Sequence, residues 1–170
     1  LQKGLPLEQV FTGQGSDEAI DLLTRLCCQP GVDEVVVCPP TYGVYAIAAR
    51  LQQAKVVEVP LTVDFQLDVA GILAASNPNS KILWLCSPNN PTGNLMSEAA
   101  VLELLRAFPG LVVVDEAYID FAQSKSWSAA LADYPRLVVL QTLSKGWGLA
   151  GIRLGMALAH PRLIELLQRI

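Results

Sequence analysis

Apolar positions recur in two rhythms along the chain. Short β-branched or continuous apolar runs at Glu34–Cys38, Lys55–Val59, Lys81–Leu85, Leu111–Asp115, Leu137–Thr142 and Leu154–Ala159 predict strands, with a weaker one at Gln9–Thr12. Between them the spacing turns helical. Glu18–Cys28 carries apolar residues at 19, 20, 22, 23, 26 and 27, and Val44–Leu51 and Val69–Ala75 show the same stripe. Ser97–Phe108 predicts a helix with Ser97 as N-cap and Pro109-Gly110 as its stop. His160–Ile170 reads as a helix in mid-course, with no Gly or Pro to end it, which predicts a fragment of a longer chain. Strand–helix alternation of this kind predicts an α/β fold of three α/β/α layers around a mostly parallel sheet of about seven strands. No repeat or linker interrupts it, so residues 1–170 read as one domain.

Composition sharpens that picture. The chain is 52% hydrophobic and 16% charged, against roughly 25% charged in an ordinary globular domain. Such a balance excludes disorder and fits strands buried on both faces. A net charge of −4 argues against a nucleic-acid footprint, which needs a basic stripe. No apolar run approaches the ~18 residues of a membrane span, so a soluble chain without a membrane partner is expected. Cys27, Cys28, Cys38 and Cys86 lie among apolar residues without Cys-x-x-Cys or Cys/His spacing. They read as reduced core thiols of a cytoplasmic protein, not as metal ligands. The one histidine, His160, stands in the tail and reads as a surface residue; Ser-His-Asp, Cys-His and zinc chemistry are disfavoured.

The candidate chemistry gathers after the strands, where α/β sheets bind ligands. Lys145 follows an apolar strand in Thr142-Leu143-Ser144-Lys145; alone it would read as a solvated lysine, but Gly146-Trp147-Gly148 follows it and hydroxyls at Thr142 and Ser144 precede it. With Arg153 these hydroxyls could meet a dianionic phosphate. Asp115 closes Leu111–Val114 and either caps the next turn or pairs with a protonated ring nitrogen, since a buried carboxylate needs donors or a cation. Tyr118 could reach the same ligand or simply lie half-buried. Asn89-Asn90-Pro91-Thr92-Gly93 reads as a turn in which a proline-fixed asparagine could point its amide at a ligand. Tyr42 is core filler or a stacking face. Gly13-x-Gly15-Ser16 before a helix is an anion cradle, although Asp17 and Glu18 would repel phosphate unless a cation such as Arg153 compensates.

Together these residues resemble the fold-type I pyridoxal-phosphate aminotransferases, and most closely their histidinol-phosphate branch. The match runs from about Val10 to Arg169. It rests on Gly15-Ser16-Asp17-Glu18, Cys38-Pro39-Pro40-Thr41-Tyr42-Gly43, Ser87-Pro88-Asn89-Asn90-Pro91-Thr92-Gly93, Asp115-Glu116-Ala117-Tyr118, Thr142-Leu143-Ser144-Lys145 and Leu149–Gly155. The resemblance implies that Lys145 links covalently to pyridoxal 5'-phosphate and that Asp115 pairs with its ring nitrogen. It further implies that Asn90 and Tyr118 bond the ring's 3-oxygen and that Tyr42 stacks on the ring. The phosphate would be held by the backbone at Ser16 and Asp17, by Thr142 and Ser144, and by Arg153.

The implied activity is transamination of histidinol phosphate with 2-oxoglutarate in histidine biosynthesis, in a cytoplasmic homodimer that takes amino-acid and keto-acid substrates. The family's smaller domain and N-terminal arm are absent from the sequence, so 1–170 is expected to be the cofactor-binding large domain, with little turnover alone. Other readings stay open: an aromatic aminotransferase, a phosphothreonine decarboxylase, or a non-catalytic ligand-sensing module of the same fold.

Overall fold

In the computed structural model, which describes residues 4–170, seven strands form one sheet. They are β1 (Val10–Gln14), β2 (Glu34–Val37), β3 (Lys55–Glu58), β4 (Ser80–Cys86), β5 (Leu111–Asp115), β6 (Leu137–Thr142) and β7 (Leu154–Ala159). Their order is β1-β7-β6-β5-β4-β2-β3. The pairs β3/β2, β2/β4, β4/β5 and β5/β6 are parallel, whereas β7 is antiparallel to both β6 and β1. The carboxyl ends of β1, β4, β5 and β6 therefore share a rim with the amino end of β7.

Side chains of successive strand residues alternate between faces, and two apolar layers result. Leu83 and Leu85 of β4, Val112 and Val114 of β5, and Leu137 and Val139 of β6 pack with α3 (Val69–Ala75) and α4 (Glu98–Ala107). Ile82, Trp84, Val113, Val138 and Leu140 face α1 (Ser16–Cys27), α2 (Val44–Leu51) and α5 (Pro161–Leu167) on the other side. Both faces are covered, which explains the near-continuous apolar strands. Asp115 shares the parity of Val113 and so points to the α1/α2 side.

The predicted helices and strands recur with small shifts, and α2, α3, β5, β6 and β7 keep their predicted bounds. Two end signals differ. Ser97 stands at the N-cap of α4, yet its hydroxyl makes no capping bond; its N–H donates instead to Gln66 Oε1 at 2.9 Å. The last helix occupies Pro161–Leu167 and not the whole of 160–170. His160 is its N-cap, with Nδ1 accepting the Arg162 N–H at 3.2 Å, and Pro161 fills the first helical position, where no N–H is required. The cysteines are free, and burial pushes Cys27, Cys38 and Cys86 up to about 12. No helix among the described residues is long and apolar enough to cross a membrane. Lys3 lies outside the described residues.

Candidate active site

The rim described above opens into a pocket of about 110 Å³, lined among others by Ser16, Asp17, Tyr42, Asn90, Asp115, Tyr118, Thr142, Ser144, Lys145 and Arg153. Every candidate residue named from the sequence meets there.

Asp115, 2% exposed, ends β5. Its Oδ1 accepts the Ala117 N–H at 3.0 Å and its Oδ2 accepts the Tyr45 hydroxyl at 2.7 Å. No cation among the described residues bonds it. Burial lifts its pKa from 3.8 to about 6; the bonds from Tyr45 and Ala117 pull downward, and the charges of Asp17 and Glu116 push it up again. A buried acid in this condition lacks a positive partner.

Lys145 stands across the pocket, exposed, with Nζ 5.7 Å from the centroid of the Tyr118 ring. Among the described residues neither Lys145 nor Arg153 forms a salt bridge, although most other basic side chains do; Arg153 Nη1 donates only to the Ala150 carbonyl, at 3.5 Å. The pocket thus holds an amine and a guanidinium without a carboxylate partner, and an acid without a cation.

The two asparagines divide their work. Asn89, 2% exposed, donates from Nδ2 to the Pro40 carbonyl (2.9 Å) and Thr92 Oγ1 (2.7 Å), and its Oδ1 accepts from Thr41 Oγ1 (3.1 Å). It ties the loop after β4 to the loop after β2. Asn90 is left to face the pocket.

The anion cradle forms where α1 begins. Gly15 has φ +80° and ends the turn after β1, while the amino end of α1 presents the N–H groups of Ser16 and Asp17. A Cβ on Gly155 would collide with the Gly15 carbonyl carbon and the Ser16 nitrogen, so only glycine lets β7 press against this turn. Arg153 adopts a left-handed backbone, φ 56° and ψ 49°, and its Nη2 lies 2.9 Å from where a Gly15 Cβ would stand. The expected repulsion from the two acids is moderated. The Glu18 carboxylate turns back to accept the Gln14 N–H, and Asp17 Oδ1 accepts the Tyr42 hydroxyl at 3.1 Å. Thr142 Oγ1 lies 3.1 Å from Ser144 Oγ and accepts the Ser144 N–H at 3.2 Å, and both residues line the same pocket as the cradle.

Sequence reasoning missed Tyr45 and Cys86. Tyr45 sits on the buried stripe of α2, where an aromatic reads as core; Cys86 lines the pocket from the end of β4. Neither position carries a local signal.

Comparison with known proteins now bears on this geometry. The model for aminotransferase class I and II matches residues 4–170. The chain belongs to that family. It is 53% identical over 168 residues to the histidinol-phosphate aminotransferase of Cytophaga hutchinsonii, covering 99% of this chain and 48% of that protein. Among solved structures, the histidinol-phosphate aminotransferase of Sinorhizobium meliloti in complex with pyridoxal-5'-phosphate superposes with a TM-score of 0.89 at 28% identity, over 98% of this chain and 46% of that one. The Thermus thermophilus aspartate aminotransferase with maleate gives a TM-score of 0.88 at 25% identity, over 96% and 44%. The chain therefore spans about half the length of the aminotransferases it matches. The three-layer fold is the one these aminotransferases share.

Proposed function

We propose that this chain is the cofactor-binding large domain, over residues 1–170, of a pyridoxal-phosphate-dependent aminotransferase that exchanges an amino group between histidinol phosphate and 2-oxoglutarate in histidine biosynthesis. One observation carries the reading. Asp115 is a buried acid without a cation, and it faces the same pocket as an amine without a carboxylate and a cradle of free N–H groups beside Arg153. That donor set suits a phosphorylated pyridine aldehyde: a cationic ring nitrogen for Asp115, a carbonyl carbon for Lys145, a dianion for the cradle. Relatives named for histidinol phosphate at about 50% identity support the choice of substrate.

Bound pyridoxal phosphate supplies the electron sink for the pair released when the substrate's Cα–H bond breaks. Asp115 keeps the proton on the ring nitrogen. Lys145 Nζ would hold the cofactor through its carbonyl carbon and is placed to serve as general base and acid for the proton at the substrate's Cα. Asn90 and Tyr118 would bond the ring's 3-oxygen, and Tyr42 would offer its face to the ring. Ser16 and Asp17 N–H, the Thr142 and Ser144 hydroxyls and Arg153 hold the phosphate. The groups that would grip the substrate carboxylate are assigned to segments outside residues 1–170, and the assembly to a cytoplasmic homodimer.

The test is covalent trapping. Full-length protein is incubated with pyridoxal phosphate, reduced with borohydride and peptide-mapped. The label is expected on Lys145; on Lys3, Lys55, Lys81 or Lys125 it overturns the site. Glutamate formation from histidinol phosphate and 2-oxoglutarate checks the substrate pair.

A further inference from the structure

Tyr45 is 0% exposed, on the face of α2 turned to the sheet. Its ring stacks on Trp84 of β4, with centroids 5.0 Å apart and planes within 4°. On another side it meets the edge of Tyr42 at 5.6 Å and 83°. A phenylalanine would fill this space equally well, so packing alone does not account for the hydroxyl. The ring contacts fix where that hydroxyl stands: 2.7 Å from Asp115 Oδ2.

We propose that Tyr45 is a positioning residue for the cofactor's ring-nitrogen partner, its hydroxyl holding the Asp115 carboxylate ionised and aimed into the pocket. The inference rests on the reading of Asp115 given above. The choice of a phenol has a physical reason. A lysine or arginine in this place would neutralise Asp115 and weaken its pull on a cationic ring, whereas a hydroxyl lends one hydrogen bond and leaves the charge unspent. Burial and the Asp115 charge push the Tyr45 phenol well above its ordinary value, so it remains a donor throughout the working range. The other groups facing Asp115 do not replace it. Asp17 and Glu116 oppose ionisation, Cys86 is held as a thiol by burial and donates to the Pro88 carbonyl at 3.4 Å, and the Tyr42 hydroxyl is engaged by Asp17.

The experiment uses the full-length protein. Tyr45→Phe keeps the stack and removes only the hydroxyl; Trp84→Phe thins the stack and leaves the hydroxyl. Pyridoxal phosphate affinity of the apoprotein is measured against pH, together with kcat and KM. Wild type is expected to lose affinity as pH falls through about 6, where Asp115 protonates. In Tyr45→Phe that limb moves up by about one pH unit, since the ionised acid has lost a donor. Its kcat falls about twofold near neutrality and approaches a tenfold deficit towards about pH 5, with KM within about twofold, and the deficit vanishes at higher pH. Trp84→Phe leaves the limb where it was. In an Asp115→Asn background, Tyr45→Phe adds nothing, because the two residues act as one unit. A limb that coincides with wild type, a deficit independent of pH, an equal shift in Trp84→Phe, or additive losses in the double variant each overturn the role of Tyr45. If Asp115→Asn itself keeps wild-type affinity and rate, the reading of Asp115 falls with it.

Discussion

Two buried acids sit at opposite rims of the same sheet and meet opposite fates. Glu34, 4% exposed, begins β2. Its Oε1 accepts from Ser80 Oγ and Asn77 Nδ2, each at 2.7 Å, and its Oε2 meets Lys55 Nζ at 3.2 Å. Burial works to raise its pKa, but the bonds from Ser80 and Lys55, the Lys55 charge and the Asn77 amide outweigh it, and the value falls below 4.5. Asp115 ends β5 with comparable burial, two neutral donors and no cation, and rises to about 6. Burial raises both; Glu34 is met by Ser80, by the Lys55 cation and by Asn77, whereas Asp115 has two neutral donors and two like charges nearby. At the amino-terminal rim the chain completes its own electrostatics. At the carboxyl-terminal rim it leaves a charge for something else to complete.

The contrast is best broken at Asp115. Asp115→Asn in the full-length protein is expected to cost on the order of 10²–10³ in kcat/KM, the scale of removing one preorganised charge contact from a site. The apoprotein should meanwhile melt no lower than wild type. A variant that unfolds early but turns over normally would reverse the assignment of the two rims.

Acid titration of apoprotein stability comes next. Asp115 has a folded-state value above its unfolded one, so its contribution is full below about pH 4 and is lost as the pH rises through about 6. Glu34 runs the other way: its contribution is present above 4.5 and lost as the pH falls through its depressed folded value. Urea unfolding from pH 4 to 7 should therefore show Asp115→Asn gaining on wild type by up to about 3 kcal/mol. A constant gap between the two curves would refute the raised value.

Glu34→Ala is expected to cost about 1–3 kcal/mol in the same assay by orphaning Ser80 and Asn77, with pyridoxal phosphate affinity unchanged. Ser97→Ala should do least. An N-cap hydroxyl that bonds the helix is worth ~1 kcal/mol, but this one makes no such bond, so a loss under about 0.5 kcal/mol is expected. A larger loss would mean that the hydroxyl caps α4 in solution.

Much of this was legible beforehand, for reasons that particular residues show. Leu111–Asp115, Leu137–Thr142 and Leu154–Ala159 are continuous apolar runs of strand length, and their boundaries needed no tertiary information. Lys145, Asn90 and Asp115 were visible because each is a polar residue in a loop or at a strand end, out of keeping with the apolar run before it. Tyr45 was invisible for the opposite reason. It occupies an apolar stripe where an aromatic is ordinary, and its partner lies 70 positions away. Strand order was equally beyond local pattern: β4 lies between β2 and β5, and β7 reverses direction between β6 and β1. That reversal explains why Arg153, which precedes its strand, joins residues that follow theirs. The Ser97 cue at the start of α4 misled because local pattern does not show whether a hydroxyl turns to the helix: it makes no capping bond, and the Ser97 N–H donates to Gln66 Oε1, on a loop distant in sequence.

Among the described residues the strand β1 has a single neighbour in the sheet, β7, which is synthesised after the other six strands. The turn at Gly15 and Ser16 is pressed into shape by Gly155, some 140 positions later. During synthesis the first strand must therefore wait, unpaired, until nearly the whole segment has emerged. Capture of a phosphate by that turn therefore waits on β7, and a nascent chain stalled before it would have no place to keep one.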